Sequence, residues 1–299
     1  MGRNGREENI LTAENVVAVV LNWKDAENTL ACVDSLLLDK HINSIIVVDN
    51  ESDGLLRGPL EVRGRSLIKL IERPENLGFS AGVNVGLHYA SQLRADFILV
   101  INNDAVILPG CLEVLLRTIG AGVGICAPTI LNEDGSVQTE GDHMNRVTGG
   151  VGAARGDSPT NFLTWACVLI PIDTIRKVGY LDELFFMYWE DVDYAFRCRE
   201  AGLRLITTSE AQVVHKLGAS NSSAGWRIQL FWMLGLAHLT KKWGGTFWLG
   251  LGWRLARRTA KLIVACDLRG LCASWRGLSL GIASKEPAAK VLKEIGVIS

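Results

Sequence analysis

Along the first hundred residues, short apolar runs rich in β-branched residues alternate with stretches whose apolar positions recur every three or four residues. Residues 16–21, 44–49, 67–72 and 96–101 read as strands, and 26–38 and 78–90 as helices. This alternation predicts βαβ units around a mainly parallel sheet, an α/β fold. Three of the strands run into polar residues: Asn22, the pair Asp49-Asn50, and the triplet Asn102-Asn103-Asp104. Ligands of open α/β sheets bind in the crevice beyond the carboxyl ends of the strands, so these residues are candidates for binding.

Beyond Asp104 the pattern loosens. A helix is expected at 112–119, loops and short strands across the glycine-rich stretch 120–158, an apolar strand at 162–170, and a helix end, turn and strand over 203–215. From Trp226 the pattern is helical. The chain therefore divides into a βαβ half (1–105), a second half of the same domain (106–224) and a C-terminal helical segment (225–299).

Composition narrows the class. With 299 residues, 48% of them hydrophobic, the chain can bury a sizeable core, and a net charge of -1 disfavours a nucleic-acid partner. Seven cysteines without C-x-x-C spacing suggest neither a disulfide framework nor a zinc site, and reduced, buried thiols in a cytoplasmic protein are expected. The first fifteen residues lack the basic and apolar regions of a secretory signal. The charge-free stretches 228–240 and 243–253 are shorter than the roughly 18–20 residues of a membrane-spanning helix.

Charge is unevenly spread. Residues 224–280 hold nine Lys and Arg against one acid, Asp267, together with six of the nine tryptophans. Tryptophan and cationic side chains on short helices suit the interface of an anionic bilayer, which would make the protein peripheral at the cytoplasmic face of the inner membrane. The alternative is that these helices pack on the rest of the protein or on a second copy of the chain, forming a homo-oligomer.

Four segments carry candidate chemistry. Asp104, at a strand end, could hold Mn²⁺ or Mg²⁺ shared with a diphosphate, or it could close an ordinary turn. The run from Asn76 through Gly78, Phe79, Gly82 and Asn84 to Gly86 places small residues where a loop becomes a helix, suited to phosphate or sugar, or to close helix packing. Between Asp182 and Asp193, four aromatics alternate with five carboxylates, and no Lys or Arg stands between Lys177 and Arg197. Acids left uncompensated beside aromatic rings acquire raised pKa values, as a general base requires; a helix start with an ordinary Asp193–Arg197 pair is the plainer reading. His215 closes an apolar run and gains weight from Asp104, since an imidazole and a carboxylate from two strand ends can share a cation.

Taken in order, Asn-Trp, Val-Val-Asp-Asn, Asn-x-Gly-Phe-x-x-Gly-x-Asn-x-Gly, Asn-Asn-Asp, Trp-Glu-Asp-x-Asp and His-x-x-Gly-x-Ser resemble a family 2 glycosyltransferase of the GT-A fold, over residues 16–220. The similarity is greatest to bacterial rhamnosyltransferases and galactofuranosyltransferases. The resemblance implies an inverting transfer, with rhamnose favoured, from a nucleoside diphosphate sugar to a hydroxyl of a glycan or lipid-linked acceptor in surface polysaccharide synthesis. It implies that Asn22, Asp49, Asn50, Asn76, Gly78, Phe79, Gly82, Asn84, Asn102 and Asn103 shape the donor site. By the same resemblance Asp104 and His215 hold the divalent cation. It further implies that Asp191 is the catalytic base, with Glu190 and Asp193 supporting it or the acceptor, and that Trp165, Tyr188 and Trp189 are acceptor contacts. The metal motif departs from the wider family by having Asn at 102 and 103, leaving one carboxylate. A nucleotidyltransferase is disfavoured because residues 16–24 hold neither glycine nor arginine for a triphosphate. A non-catalytic nucleotide-sugar-binding protein is disfavoured by the joint presence of Asp104, Asp191 and His215.

Overall fold

The computed structural model describes residues 14–64, 66–154, 160–216 and 225–298. Strand β1 (Val16–Asn22) is wholly buried from Val16 to Val20, so it must be covered on both faces and lie inside the sheet. It pairs in parallel with β2 (Ile42–Asp49) and β4 (Phe97–Asn102), and β2 pairs in parallel with β3 (Ile68–Glu72). The next strands are β5 (Ala105–Ile107), β6 (Val123–Leu131), β7 (Val137–Thr139), the hairpin β8 (Asp142–Asn145) and β9 (Gly150–Ala153), β10 (Cys167–Pro171) and β11 (Arg204–His215). Among the described residues, nine strands form one mixed sheet in the order β3-β2-β1-β4-β10-β6-β11-β5, with β7 on β6. One sheet thus runs through both halves of the domain.

Helices α1 (Ala26–Leu37) and α4 (Cys111–Thr118) cover one face of the sheet, burying Cys32, Val33, Leu36, Leu112 and Leu115 against it. On the other face lie α3 (Gly78–Gln92), α5 (Ile172–Val178) and α6 (Glu190–Glu200). Helix α2 (Arg57–Gly64) packs beside β3. The small residues of α3 serve its packing: a Cβ on Gly82 or Gly86 would lie 2.6 or 2.3 Å from the side chains of Leu21 and Val19 on β1.

Three stretches differ from the sequence reading. Residues 123–131, expected among loops and short strands, form the nine-residue strand β6, every residue of it buried; Gly124 and Pro128 interrupt its apolar run and disguise its length. The expected strand at 162–170 begins only at Cys167, with Phe162 making an isolated bridge to Asp142. The expected helix end and turn after 203 are instead the continuous twelve-residue β11, which shifts register between Thr208 and Gln212. Cys266 and Cys272 are exposed, while the other five cysteines are buried as expected.

The C-terminal segment consists of α7 (Trp226–Trp243), α8 (Phe247–Val264), α9 (Leu268–Ala283) and α10 (Ala288–Glu294). Helix α7 is packed into the rest of the protein, burying Leu230, Phe231, Met233, Leu234, Leu236 and Leu239. Gly277 and Gly281 of α9 let its backbone approach α7, since a Cβ on either would stand 2.3 or 2.5 Å from the carbonyls of Leu230 and Leu234. No helix of the described residues is long and apolar enough to cross a membrane.

Candidate active site

The parallel register sets the site's floor. Asn22 is paired with Asp49 and Leu21 with Asn102, so three strand ends stop at one edge. Asn22 is buried and its side chain is fully engaged: it donates to Asp49 Oδ1 (2.6 Å) and accepts from Thr29 Oγ1 (2.7 Å) and the Asp25 amide (3.1 Å). Asn103 joins through Thr29 Oγ1 (3.1 Å). Asp49 is buried with its Oδ2 left without a partner. Asn50 clamps the loop into α3, accepting from the Leu77 amide (2.8 Å) and donating to Asn76 Oδ1 and the Gly78 carbonyl (both 3.1 Å).

Gly78 is required at the start of α3. Its φ of +77° is rare for an L side chain, and a Cβ there would lie 2.4 Å from the Phe186 carbonyl. That carbonyl accepts the Phe79 amide at 2.6 Å and so docks the segment before α6 onto α3. Asn84 makes a second tie from inside the helix, donating to Leu181 O (2.9 Å) and Glu183 Oε1 (3.0 Å) and accepting from the Leu181 amide (3.0 Å). Asn84, Gly82, Asn22 and Asp49 line neither of the two cavities described below; they hold the walls in place.

Two cavities meet at this edge. The larger, about 570 Å³, has a polar end at Asn50, Glu51, Asn76, Asn102, Asn103 and Asp104, and an apolar wall including Phe79, Phe186, Phe231 and Val297. Its lining was partly legible in the sequence. Trp23, Lys24, Asp25 and Glu51, beside the singled-out strand ends, were missed, as were Arg227 and residues 296–298, which no local pattern ties to the sheet edge. Trp23 Nε1 and Lys24 Nζ donate to the Glu51 carboxylate at 2.9 and 3.0 Å.

The smaller cavity, about 290 Å³, is lined by Thr164, Trp165, Tyr188, Trp189, Glu190, Asp191 and His215. Phe79, Asn102, Asp104 and Met187 border both cavities, so Asp104 and Asp191 face one continuous space. Trp165 is 2% exposed, with its indole N–H buried and unpartnered.

Register also joins Asp104 to His215. Strand β11 pairs His215 with Ala105, bringing the imidazole Nε2 within 3.1 Å of Asp104 Oδ1. Gln138 Oε1 lies 3.2 Å from Nδ1; in the tautomer with its proton on Nδ1, Nε2 offers a lone pair on the side of the carboxylate. Two acceptors converging in this way suit a hard or borderline divalent cation. Among the described residues no third His, Cys, Asp or Glu completes a cluster. The Gly and Ser of the His-x-x-Gly-x-Ser motif, Gly218 and Ser220, lie outside the described residues.

The acids of α6 are set by strained backbone. Tyr188 and Trp189, directly before the helix, have φ of 70° and 76°, a conformation that costs energy and persists only when its surroundings enforce it. Enforcement comes from α7: Trp189 Nε1 donates to the Trp232 carbonyl (2.9 Å), and Gly235 leaves room for Tyr188 O and Trp189 Cδ1, each 2.8 Å from where a Cβ would be. Burial pushes Asp191 up to about 7, with Asp142 adding to the rise and the Val192 amide opposing it. Burial, then Asp191 beside it, pushes Glu190 well above the usual carboxylate range, and its Oε2 has no partner.

Asp193 is a different case. It is fully buried and lines neither cavity; Arg197 Nε (2.8 Å), Lys242 Nζ (2.9 Å) and Trp243 Nε1 (3.0 Å) hold it, tying α6 to the end of α7. Lys242 also pairs with Asp182 at 2.6 Å. The expectation of uncompensated acids thus fails for Asp182 and Asp193, because their cation comes from sixty and forty-nine residues away, and holds for Glu190 and Asp191.

The glycosyl transferase family 2 model matches residues 16–179, more than half of the chain. The low-salt glycan biosynthesis hexosyltransferase Agl10 of Haloferax volcanii is 26% identical over 213 residues, covering 68% of this chain and 67% of the relative. An N-acetylglucosaminyl-diphospho-decaprenol L-rhamnosyltransferase of Mycobacterium tuberculosis is 24% identical over 212 residues, covering 60% of this chain and 68% of the relative. Among solved structures, the mannosyltransferase PcManGT from Pyrobaculum calidifontis, in complex with GDP-Man and Mn²⁺, is similar with a TM-score of 0.55 at 13% identity, covering 94% of this chain and 79% of that one. At this identity the structural likeness establishes the GT-A fold.

Proposed function

The chain belongs to glycosyl transferase family 2, and from that premise we propose that it moves a hexose, with inversion, from a nucleoside diphosphate sugar in the larger cavity to a hydroxyl of a glycan or lipid-linked acceptor in the smaller one. The observation that carries this reading is the shared border of the two cavities, which gives Asp104 and Asp191 a common space. Rhamnose is the favoured sugar. It is supported by the name of the mycobacterial relative and by the apolar wall at Phe186, Phe231 and Val297, which accommodates a methyl group better than a hydroxyl.

In the proposed reaction Asp191 takes the proton of the acceptor hydroxyl as that oxygen attacks the anomeric carbon. Glu190, whose carboxyl burial and then Asp191 raise well above the ordinary range, stands beside it and supports it. Asp104 and His215 would hold a divalent cation, which when bound neutralises charge developing on the leaving diphosphate. Asn50, Asn76, Gly78, Phe79, Asn102 and Asn103 form the donor wall and Asn22, Asp49, Gly82 and Asn84 fix its frame; Asp193 fixes α6 to α7. Trp165, Tyr188 and Trp189 are the proposed acceptor contacts. The exposed Trp248, Trp253 and Trp275, with basic neighbours on α8 and α9, support peripheral contact with an anionic membrane.

Binding and hydrolysis across a panel of nucleoside diphosphate sugars, with Mn²⁺, Mg²⁺ or chelator, test the reading. A single preferred donor with a metal-dependent signal is expected. Failure of every donor to bind under all conditions would overturn it in favour of a protein that has kept the site without its chemistry.

A further inference from the structure

Two cations of α8 stand behind the acids of α6 and line neither cavity. Trp232 of α7 lines the smaller cavity, and its ring packs edge-on against Trp189 with 4.8 Å between centroids. Arg254 and Arg258, one helical turn apart, hold their guanidinium groups 5.1 and 4.8 Å from the centroid of the Trp232 ring, within reach of a cation–π contact. Arg258 also donates through Nε to Gln229 Oε1. Burial, then Glu190, raises the Tyr188 phenol to about 12, and Arg258 is close enough to oppose the rise.

Packing pins these arginines in place. A Cβ on Gly250 would lie 2.6 Å from the Arg146 carbonyl and 2.9 Å from the Gly149 nitrogen, so α8 meets the β8–β9 turn backbone to backbone, and Gly149 leaves room for the Arg254 stem. Both arginines are half-buried, and burial, then a neighbouring arginine, holds each pKa below its ordinary value. Like charges at i and i+4 repel, and α8 holds no acid to offset them. A carboxylate partner would draw the guanidinium groups off the ring. What the ring gains from them is rigidity, and Trp232 has a use for it: its carbonyl accepts Trp189 Nε1 at 2.9 Å. Tyr188 and Trp189 are consecutive left-handed residues, a backbone that persists only where its surroundings over-determine it, and Glu190 and Asp191 follow directly. A rotation of the paired indoles would re-aim both carboxyls.

Resting on the reading of Asp191 as the base, we propose that Arg254 and Arg258 are positioning residues for the transfer: stacked on Trp232, they hold Trp189 and the left-handed turn, and so keep Asp191 directed into the space it shares with Asp104. They touch neither substrate nor the reacting atoms.

Carbon-13 NMR titration of the Asp191 carboxyl in the full chain, assigned with Asp191→Asn, reads its placement without substrate. Wild type is expected to titrate at about 7. The double variant Arg254→Gln, Arg258→Gln should titrate about one pH unit lower or more, because a loosened turn lets water reach the carboxylate. Direct electrostatics has the opposite sign, since removing cations raises a nearby carboxyl. Tyr188 and Glu190 beside Asp191, Asp142 on β8, and Asp104 and His215 across the cavity are the same in every variant. For the donor best hydrolysed in the panel above, kcat of hydrolysis should fall about ten-fold or more while KM stays within about two-fold. Either single substitution, which leaves one cation on the ring, should give the same sign at smaller size, and serves if the double variant does not fold. Arg257→Gln with Arg269→Gln, which removes two charges from the same segment but none from the ring, should match wild type. In a Trp232→Leu background the substitutions at 254 and 258 should add no further shift, because they act through that ring. An unchanged or raised midpoint, an unchanged kcat, an equal effect of the control pair, or full additivity on Trp232→Leu would each overturn the proposal. Hydrolysis of no donor by wild type would count against the transferase reading instead, and the titration would still decide whether the arginines place Asp191.

Discussion

Replacing Asp191 with Asn should remove activity and make the protein more stable. In the folded protein this carboxyl keeps its proton to about pH 7, whereas its ordinary value is 3.8. The rise corresponds to about 4 kcal/mol at 1.36 kcal/mol per pH unit. Glu190 stands beside Asp191, each carboxyl acting on the other, so about 2–4 kcal/mol is the expected range. The sign follows from proton counting. Between pH 4 and 7 the folded state binds more protons at this site than the unfolded chain, so wild type loses stability as pH rises, and above pH 7 the full cost is present. Asparagine has the same shape, can accept the Val192 amide that Asp191 Oδ1 accepts at 2.7 Å, and bears no charge. Urea unfolding should therefore show Asp191→Asn equal to wild type near pH 4 and more stable by about 2–4 kcal/mol at pH 8, while turnover falls by roughly 10² to 10⁴. A variant equally or less stable than wild type at pH 8 would refute the claim that this carboxylate is held against its preference.

The rate of wild type should rise with pH to a plateau, with a midpoint about 7 set by Asp191; Asp142→Asn, which removes a neighbouring negative charge, should move that midpoint to lower pH, visible in kcat/KM profiles. Gly78→Ala should destabilise the fold by about 1–3 kcal/mol and weaken donor binding, because the new Cβ meets the Phe186 carbonyl; unchanged thermal unfolding would contradict the tight docking of α3. Lys242→Met should cost about 1–3 kcal/mol, less than for a fully buried pair because the lysine is a third exposed. The loss should be seen in denaturant midpoints without a change in donor affinity, since Asp193 lines no cavity.

Much of the first half of the chain could be read because β1, β2 and β4 carry buried apolar runs and end in polar residues within a few positions of the expected limits. The pattern failed where apolar continuity is broken by Gly124 and Pro128 in β6, and where β11 bends through a register shift. Site residues were legible as motifs, but not their division of labour. Asn22, Asn84 and Asp193 have the same residue types as binding groups, yet their hydrogen bonds are spent on neighbours. Only tertiary placement reveals that Lys242 neutralises Asp182 and Asp193 while leaving Glu190 and Asp191 unpaired, or that residues 296–298 return to wall the larger cavity. Of the basic, Trp-rich segment, α7 packs into the rest of the protein, and α8 and α9 leave three tryptophans exposed.

The division of one transfer site between two cavities is tested most directly by measuring donor affinity and turnover side by side for Asp104→Ala and Asp191→Asn in the presence of Mn²⁺. Asp104→Ala should lose donor affinity, while Asp191→Asn should bind donor within about two-fold of wild type and lose turnover at least 100-fold. Equal loss of donor affinity in both variants, or full donor binding by Asp104→Ala, would contradict it.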